Sequence, residues 1–296
     1  MGILLGLTAA LCWGSADFLA RYSTRSIGTY RTLFFMQIFG FVGLSLYLWQ
    51  SGEFERLYQR AVWQDWAWAT LAALLNIISS LSLYRAFEIG ILSVVSPIAA
   101  SYGALTAVLS VLSGETLSIT RALGIVAALL GVMLASISMS GSKEKLARPA
   151  TRFGSRPGLP PGVAPALLAA LCFGFIFWIL GFFVTPKLGG VAPIWYARLL
   201  TLVVLATLAV PSRQSLKIPR GQVWWFIAGV GVLDTVAFVS NALGLTTDQV
   251  AVVTVLASLF SAVTVVLAWL FLREKLQWSQ WLGIGIIFVG IGLVSI

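Results

Sequence analysis

Residues 115–137 read ETLSITRALGIVAALLGVMLASI, and residues 274–296 read EKLQWSQWLGIGIIFVGIGLVSI. The two align without a gap, and nine positions of the first recur in the second: Glu115, Leu117, Leu123, Gly124, Ile125, Gly131, Leu134, Ser136 and Ile137. Both are apolar on every face, which suits a helix buried in lipid and protein and not the alternation of a barrel strand. A second echo lies near the start of each half, where LAALCFGF at 168–175 repeats TAALCWGS at 8–15. The chain reads as a duplicated helical membrane protein.

Composition points the same way. Of 296 residues, 59% are hydrophobic and 10% charged, and the mean hydropathy is +0.96, whereas soluble proteins average about 25% charged residues. A span takes about 20 apolar residues. Ten fit, near 2–20, 33–49, 66–87, 92–112, 120–138, 163–186, 192–210, 223–243, 250–271 and 280–296. The interval 140–162, rich in Ser, Gly, Pro and basic residues, reads as a flexible linker between a first repeat, 1–139, and a second, 163–296. The expected fold is thus all-α and polytopic, with ten transmembrane helices in two five-helix repeats. Because five is odd, the second repeat must cross the membrane inverted, as in secondary transporters whose substrate site lies near the midplane.

The charges orient the chain. Of 19 Lys and Arg residues, 14 fall in the odd-numbered connections, the linker included, and four in the even ones. The positive-inside rule then puts the linker in the cytoplasm and both termini outside. The net charge of +9 lies in connections between apolar runs and not on one water-facing surface, so no nucleic-acid partner is expected. There is no His, and Cys12 and Cys172 sit in apolar helices. No metal, cofactor or nucleophile–base pair is therefore expected, and the chain does not read as an enzyme. A G-x-x-x-x-G-K-[ST] phosphate loop is missing too, so ATP is not the expected drive. The N-terminus lacks the basic flank of a removable signal and reads as a retained helix. The expected partners are a small-molecule substrate and the bilayer, with the chain a monomer or homodimer.

Ten helices as five plus five, LCWGSADF at 11–18, Pro97 within SVVSP, and Glu-x-Leu at 115–117 and 274–276 together resemble the EamA-type carriers of the drug/metabolite transporter superfamily. Within it the chain is most similar to bacterial exporters of amino acids, aromatic ones included. The resemblance spans essentially the whole chain. It implies export of small neutral or zwitterionic metabolites across the inner membrane, with other solutes such as drugs or organic acids, or a non-transporting interaction protein, as alternatives. It also implies a cavity lined mainly by the first, third, fourth, sixth, eighth and ninth helices, with the fifth and tenth outside it. Pro97 falls opposite Leu256 in the second repeat, so a proline kink is expected in the fourth helix and not in the ninth.

Ionisable groups inside a membrane are costly and are functional candidates by default. Asp234 lies near the middle of the eighth span and, with Gln64 and Trp66 aligned on Gln222 and Trp224, falls opposite Asn76. It is a candidate for binding a proton or a substrate ammonium, the alternative being an interhelical hydrogen bond. Asp17, four residues after Trp13 and on the same helix face, either meets the substrate or sits at the rim beside Arg21. Arg198 reads as a structural group at the membrane interface. Glu115 and Glu274 are placed to open their own helices, and the spacing of Gly124/Gly131 and Gly283/Gly290 offers smooth packing faces. With 12 Trp, 7 Tyr and 18 Phe, aromatics alone do not mark a site. Trp13, Tyr84, Tyr102 and Trp178 are candidates because the resemblance puts their helices around the cavity. Ser80, Ser96 and Asn241 add hydrogen-bonding groups there.

Overall fold

The computed structural model describes residues 1–52, 62–136, 160–272 and 278–295. They form α1 (Gly2–Ile27), α2 (Thr29–Ser51), α3 (Trp63–Ile89), α4 (Leu92–Ala100 and Tyr102–Leu112), α5 (Ile119–Ser136), α6 (Val163–Ile179, continued by a π turn at Leu180–Val184 and by Thr185–Leu188), α7 (Ala192–Ala209), α8 (Val223–Leu245), α9 (Val250–Ser258 and Phe260–Leu272) and α10 (Trp278–Val294). Eight of these are long and apolar enough to span a bilayer, and α5 and α10 carry shorter apolar stretches, Ile119–Leu134 and Trp281–Val294. The described residues contain helices and no strand, as expected where every backbone N–H and C=O must be satisfied within its own segment. The linker reading at 140–162 falls outside the described residues except for 160–162.

Packing is organised around pairs. The principal contacts join α1 to α8 and α9, α3 to α6 and α7, α4 to α6 and α9, α2 to α7 and α8, and α5 to α10. Exchanging every helix with the one five places away turns α1–α8 into α6–α3, α1–α9 into α6–α4 and α2–α8 into α7–α3. It leaves α2–α7, α4–α9 and α5–α10 in place. The contact pattern is therefore unchanged by the exchange that an inverted duplication would impose.

The glycine spacing explains the α5–α10 pair. A Cβ at Gly131 would stand 2.8 Å from the carbonyl oxygen of Gly283 and 2.8 Å from the amide of Ile287, and one at Gly290 would stand 2.6 Å from the amide of Ala128. The helices touch backbone to backbone, and the matched glycines serve this contact within the chain.

Two features depart from the sequence reading. The α4 helix breaks at Ser101, four residues beyond Pro97, where the Ser101 amide is shared between the carbonyls of Pro97 and Ile98. The α9 helix breaks as well, at Leu259, although it has no proline there. The two helices cross at this level, with Gly103 of α4 against Ser258 of α9. Second, Glu115 does not cap its own helix. Its carboxylate accepts the N–H groups of Val250 at 2.5 Å and Ala251 at 2.9 Å, satisfying orphan donors at the N-terminus of α9. Glu274 lies outside the described residues.

Polar networks tie each end of the bundle. At the end bearing the N-terminus, Arg121 pairs with Asp248 at 3.1 Å and Lys187 with Asp65 at 2.9 Å. At the other end, Arg25 donates to the Gly90 carbonyl at 2.9 Å, and Glu88 accepts from Thr29 at 2.7 Å and pairs with Arg85 at 3.0 Å.

Gly131→Leu is expected to overpack the α5–α10 contact and to cost about 1–3 kcal/mol. Gly285→Leu on α10, where an added Cβ meets no atom within 4 Å, is expected to change stability by under about 0.5 kcal/mol. Melting temperatures of the two variants in one detergent check the difference.

Candidate functional site

Four helices each send two side chains into one space partway along the bundle. The α1 helix supplies Trp13 and Asp17, α3 supplies Ser80 and Tyr84, α8 supplies Asp234 and Phe238, and α6 supplies Phe173 and Phe177. Each pair is four residues apart, so helical periodicity alone sets both members on one face. The breaks in α4 and α9 deliver the next residue of each, Tyr102 and Phe260, whose rings stack at 6.1 Å with an interplanar angle of 12°. With Met36 and Leu83 these residues line a partly open cavity of about 460 Å³.

The wall is mostly aromatic. Trp13 meets Phe238 edge-on at 5.0 Å and Phe177 at 5.5 Å, and Tyr102 meets Phe177 at 5.0 Å. Rings joined in this way present π faces and C–H edges to a solute at low conformational cost. The polar groups are few. The Tyr84 hydroxyl points at the Met36 sulfur, 2.8 Å away, while the buried Tyr102 hydroxyl has no partner. Asp17 is 5% exposed, and its carboxylate makes no hydrogen bond or ion pair among the described residues.

Asp234 is held on two sides. One carboxylate oxygen accepts the Trp13 indole N–H at 3.1 Å, and the other lies 2.7 Å from Nη2 of Arg198. Arg198 is 3% exposed, donates through Nη1 to Oε1 of Gln37 at 2.6 Å, and sets its guanidinium 5.2 Å from the centroid of Phe238, within cation–π range. Gly40 of α2 leaves the room for this, since a Cβ there would stand 3.2 Å from Arg198 Nε. The interface reading of Arg198 is thus corrected: it is buried, and its partner is the carboxylate of the adjacent helix. Arg31, the arginine of α2, is half-buried and donates to the Lys217 carbonyl.

Arg198 opens into a second cavity, of about 370 Å³, lined by Asn76, Ala72, Leu180, Pro193 and neighbours. Phe238 is the residue common to both walls. The ion pair therefore has its acid in one chamber and its base in the other.

Of the residues singled out in sequence, the larger cavity brings together Trp13, Asp17, Ser80, Tyr84, Tyr102 and Asp234. Asp17 sits in the wall and not at the rim. Asn76 lines the smaller chamber. Trp178 lies outside both, donating to Ser113 Oγ at 2.7 Å, because its position on α6 faces away from Phe173 and Phe177. Ser96 and Asn241 are fully buried without side-chain partners and line neither cavity. Sequence reasoning missed Phe173, Phe177, Phe238, Phe260, Gln37 and the role of Arg198. The signal for Arg198 was present: a cation inside an apolar span requires a counter-charge, and Asp234 was at hand. Helices α1, α3, α4, α6, α8 and α9 line the larger cavity, with α2 adding Met36, while α5 and α10 stand outside.

Residues 1–137 and 160–296 match the EamA-like transporter family. An uncharacterized protein of Methanocaldococcus jannaschii is 31% identical over 140 residues, which make up 46% of this chain and 96% of that protein. A crystal structure of a protein superposes with a TM-score of 0.73 at 18% identity, covering 99% of this chain and 96% of the other. At that identity the likeness concerns the fold.

Removing one partner of a buried ion pair strands the other charge, so Arg198→Gln and Asp234→Asn are each expected to destabilise the protein by about 3–5 kcal/mol. The double variant, with neither charge, is expected to recover most of that loss. Thermal unfolding of the three variants in detergent tests this; additive losses would contradict a coupled pair.

Proposed function

The chain belongs to the EamA-like transporter family, and from that premise, a multi-pass membrane transporter of small solutes, we propose that it exports small neutral or zwitterionic metabolites by alternating access, aromatic and neutral amino acids foremost. The observation that carries this reading is the larger cavity, where aromatic rings surround an unpartnered carboxylate, Asp17, beside a second one, Asp234, already neutralised by Arg198. An ammonium finds a counter-charge there, and an apolar or aromatic side chain finds rings to pack on. A phosphate or a polyanion would meet two carboxylates and one buried guanidinium, a poor match in charge.

The polar networks at the two ends support alternating access. At the end bearing the N-terminus, Arg121–Asp248 and Lys187–Asp65 join the two repeats, and at the opposite end Arg31 donates to the Lys217 carbonyl across the same boundary, so movement of one repeat against the other would part these contacts. We place the cytoplasm at the end carrying Arg25, Arg31 and Lys217, with both termini on the outer face of a bacterial inner membrane and the 140–162 linker inside. The two repeats, 1–139 and 163–296, would be the units that rock. Any drive would come from a gradient or from the solute itself.

Counterflow in proteoliposomes tests the assignment. Vesicles preloaded with unlabelled phenylalanine, tryptophan, threonine or methionine are expected to accumulate the labelled amino acid transiently, relative to empty liposomes. Asp17→Asn, which removes a charge-assisted contact to an ammonium, is expected to slow counterflow about tenfold or more. Unchanged counterflow in that variant would remove Asp17 from the site.

A further inference from the structure

Resting on that reading, we propose that Arg198 is the seat for a solute carboxylate, so that the transported class is defined by an ammonium and a carboxylate on one molecule. The solute would bind by parting the Arg198–Asp234 pair beside the Phe238 ring.

Three observations lead there. First, Arg198 is the one buried basic side chain among the described residues, and its guanidinium is not saturated. Nη1 and Nη2 are engaged by Gln37 and Asp234, while Nε has no hydrogen-bond partner. Second, in the smaller chamber Arg198 stands among apolar side chains with one other polar group, Asn76, whose buried Oδ1 is also without a partner. That chamber therefore holds a cation and one unpartnered polar group among apolar side chains. Third, the larger chamber holds the opposite charge, in Asp17 and Asp234. The two chambers are thus complementary to the two ends of a zwitterion, and Phe238, the wall they share, is where such a molecule would straddle them.

Pairing decides selectivity. At rest, Asp234 and Arg198 neutralise each other at 2.7 Å. A zwitterion inserted between them gives Asp234 a new ammonium and Arg198 a new carboxylate, so neither protein charge is left alone in a low-dielectric interior. An amine lacking the carboxylate would either leave the pair intact and bind through Asp17 alone, or strand Arg198. An acid lacking the ammonium would strand Asp234. An incomplete solute that parts the pair leaves a buried charge unpaired, and an amine that leaves the pair intact forgoes the Arg198 contact and binds more weakly.

The test uses three related probes in proteoliposome counterflow: phenylalanine, phenethylamine, which lacks the carboxylate, and N-acetylphenylalanine, which lacks the ammonium. Wild type is expected to accumulate labelled phenylalanine, with the other two competing about tenfold more weakly or worse. Combining Arg198→Gln with Asp234→Asn removes both charges of the pair together, so neither is stranded, and its preference for phenylalanine over phenethylamine is expected to fall about tenfold. Should that variant fold poorly, Arg198→Lys keeps the positive charge while losing Nε and the planar fork, and it is expected to lower the same preference several-fold. Phenethylamine competing as well as phenylalanine in wild type, or a preference unmoved in these variants, would overturn the carboxylate seat while leaving amino-acid export standing. Accumulation of none of the probes, nor of threonine or methionine, by folded and inserted protein would overturn both.

Discussion

The arrangement of the bundle's interior depends on one ion pair. A carboxylate and a guanidinium lie 2.7 Å apart in a bundle whose other buried side chains are mostly apolar, where either charge alone would be untenable. The surroundings read as provisions for that pair. Trp13 supplies a donor to the acid, Gln37 an acceptor to the base, Phe238 a ring beside the guanidinium, and Gly40 the space for its stem. The charged partners both belong to the second repeat, whereas Trp13, Gln37 and Gly40 come from the first. The pair is therefore completed only where the two halves meet, and a shift of one half against the other must change its hydrogen bonds.

The scaffold is symmetrical and the chemistry is not. Helix contacts are preserved when each helix is exchanged for the one five places away, and α4 and α9 break at the same level and place Tyr102 and Phe260 against each other. Yet Asp234 corresponds to Asn76, and buried Arg198 has no basic match in α2, whose one arginine, Arg31, is half-buried at the third residue of the helix. A duplicated bundle can repeat its backbone geometry freely, because helix packing depends on small residues and shape. Repeating a buried ion pair would place a second acid and base in the same low-dielectric space. The divergence at these positions is what turns one of two equivalent half-sites into a charged one.

Most of the fold was legible in the sequence, because the bilayer imposes length and apolarity on every span. The ten helices fall close to the apolar runs, although α1 continues to Ile27 and α3 begins at Trp63, since turns outside the hydrocarbon need not be apolar. The glycine pairs were legible as packing faces, although not which helix they faced. What escaped depends on partners distant in sequence. Glu115 lies next to its own helix but bonds the N-terminus of α9, 135 residues away. The Leu259 break has no proline to announce it, and arises where α9 crosses α4. Four cavity phenylalanines were invisible because 18 such residues share the same apolar environment, and only the bend of each helix decides which rings face inward. Arg198 was the avoidable omission, since its charge and position in a span already demanded an acid.

The two chambers also bear on how such a carrier avoids becoming a pore. Hydrogen bonds and ion pairs tie helices at both ends, yet nothing in such a contact by itself reports that the site is occupied. Phe238 and the ion pair sit between the chambers; they belong to the second half and touch the first through Trp13 of α1 and Gln37 of α2. Disturbing the pair therefore alters contacts to α1 and α2 together. The same two helices reach the end where Arg25 of α1 bonds Gly90 and Thr29 of α2 bonds Glu88. A rigid helix carries a displacement along its length, so a solute that parted Arg198 from Asp234, as we propose, would act on those contacts through α1 and α2 without touching them. Coupling of this kind needs no dedicated relay, only helices that share a contact at the site and another at the gate.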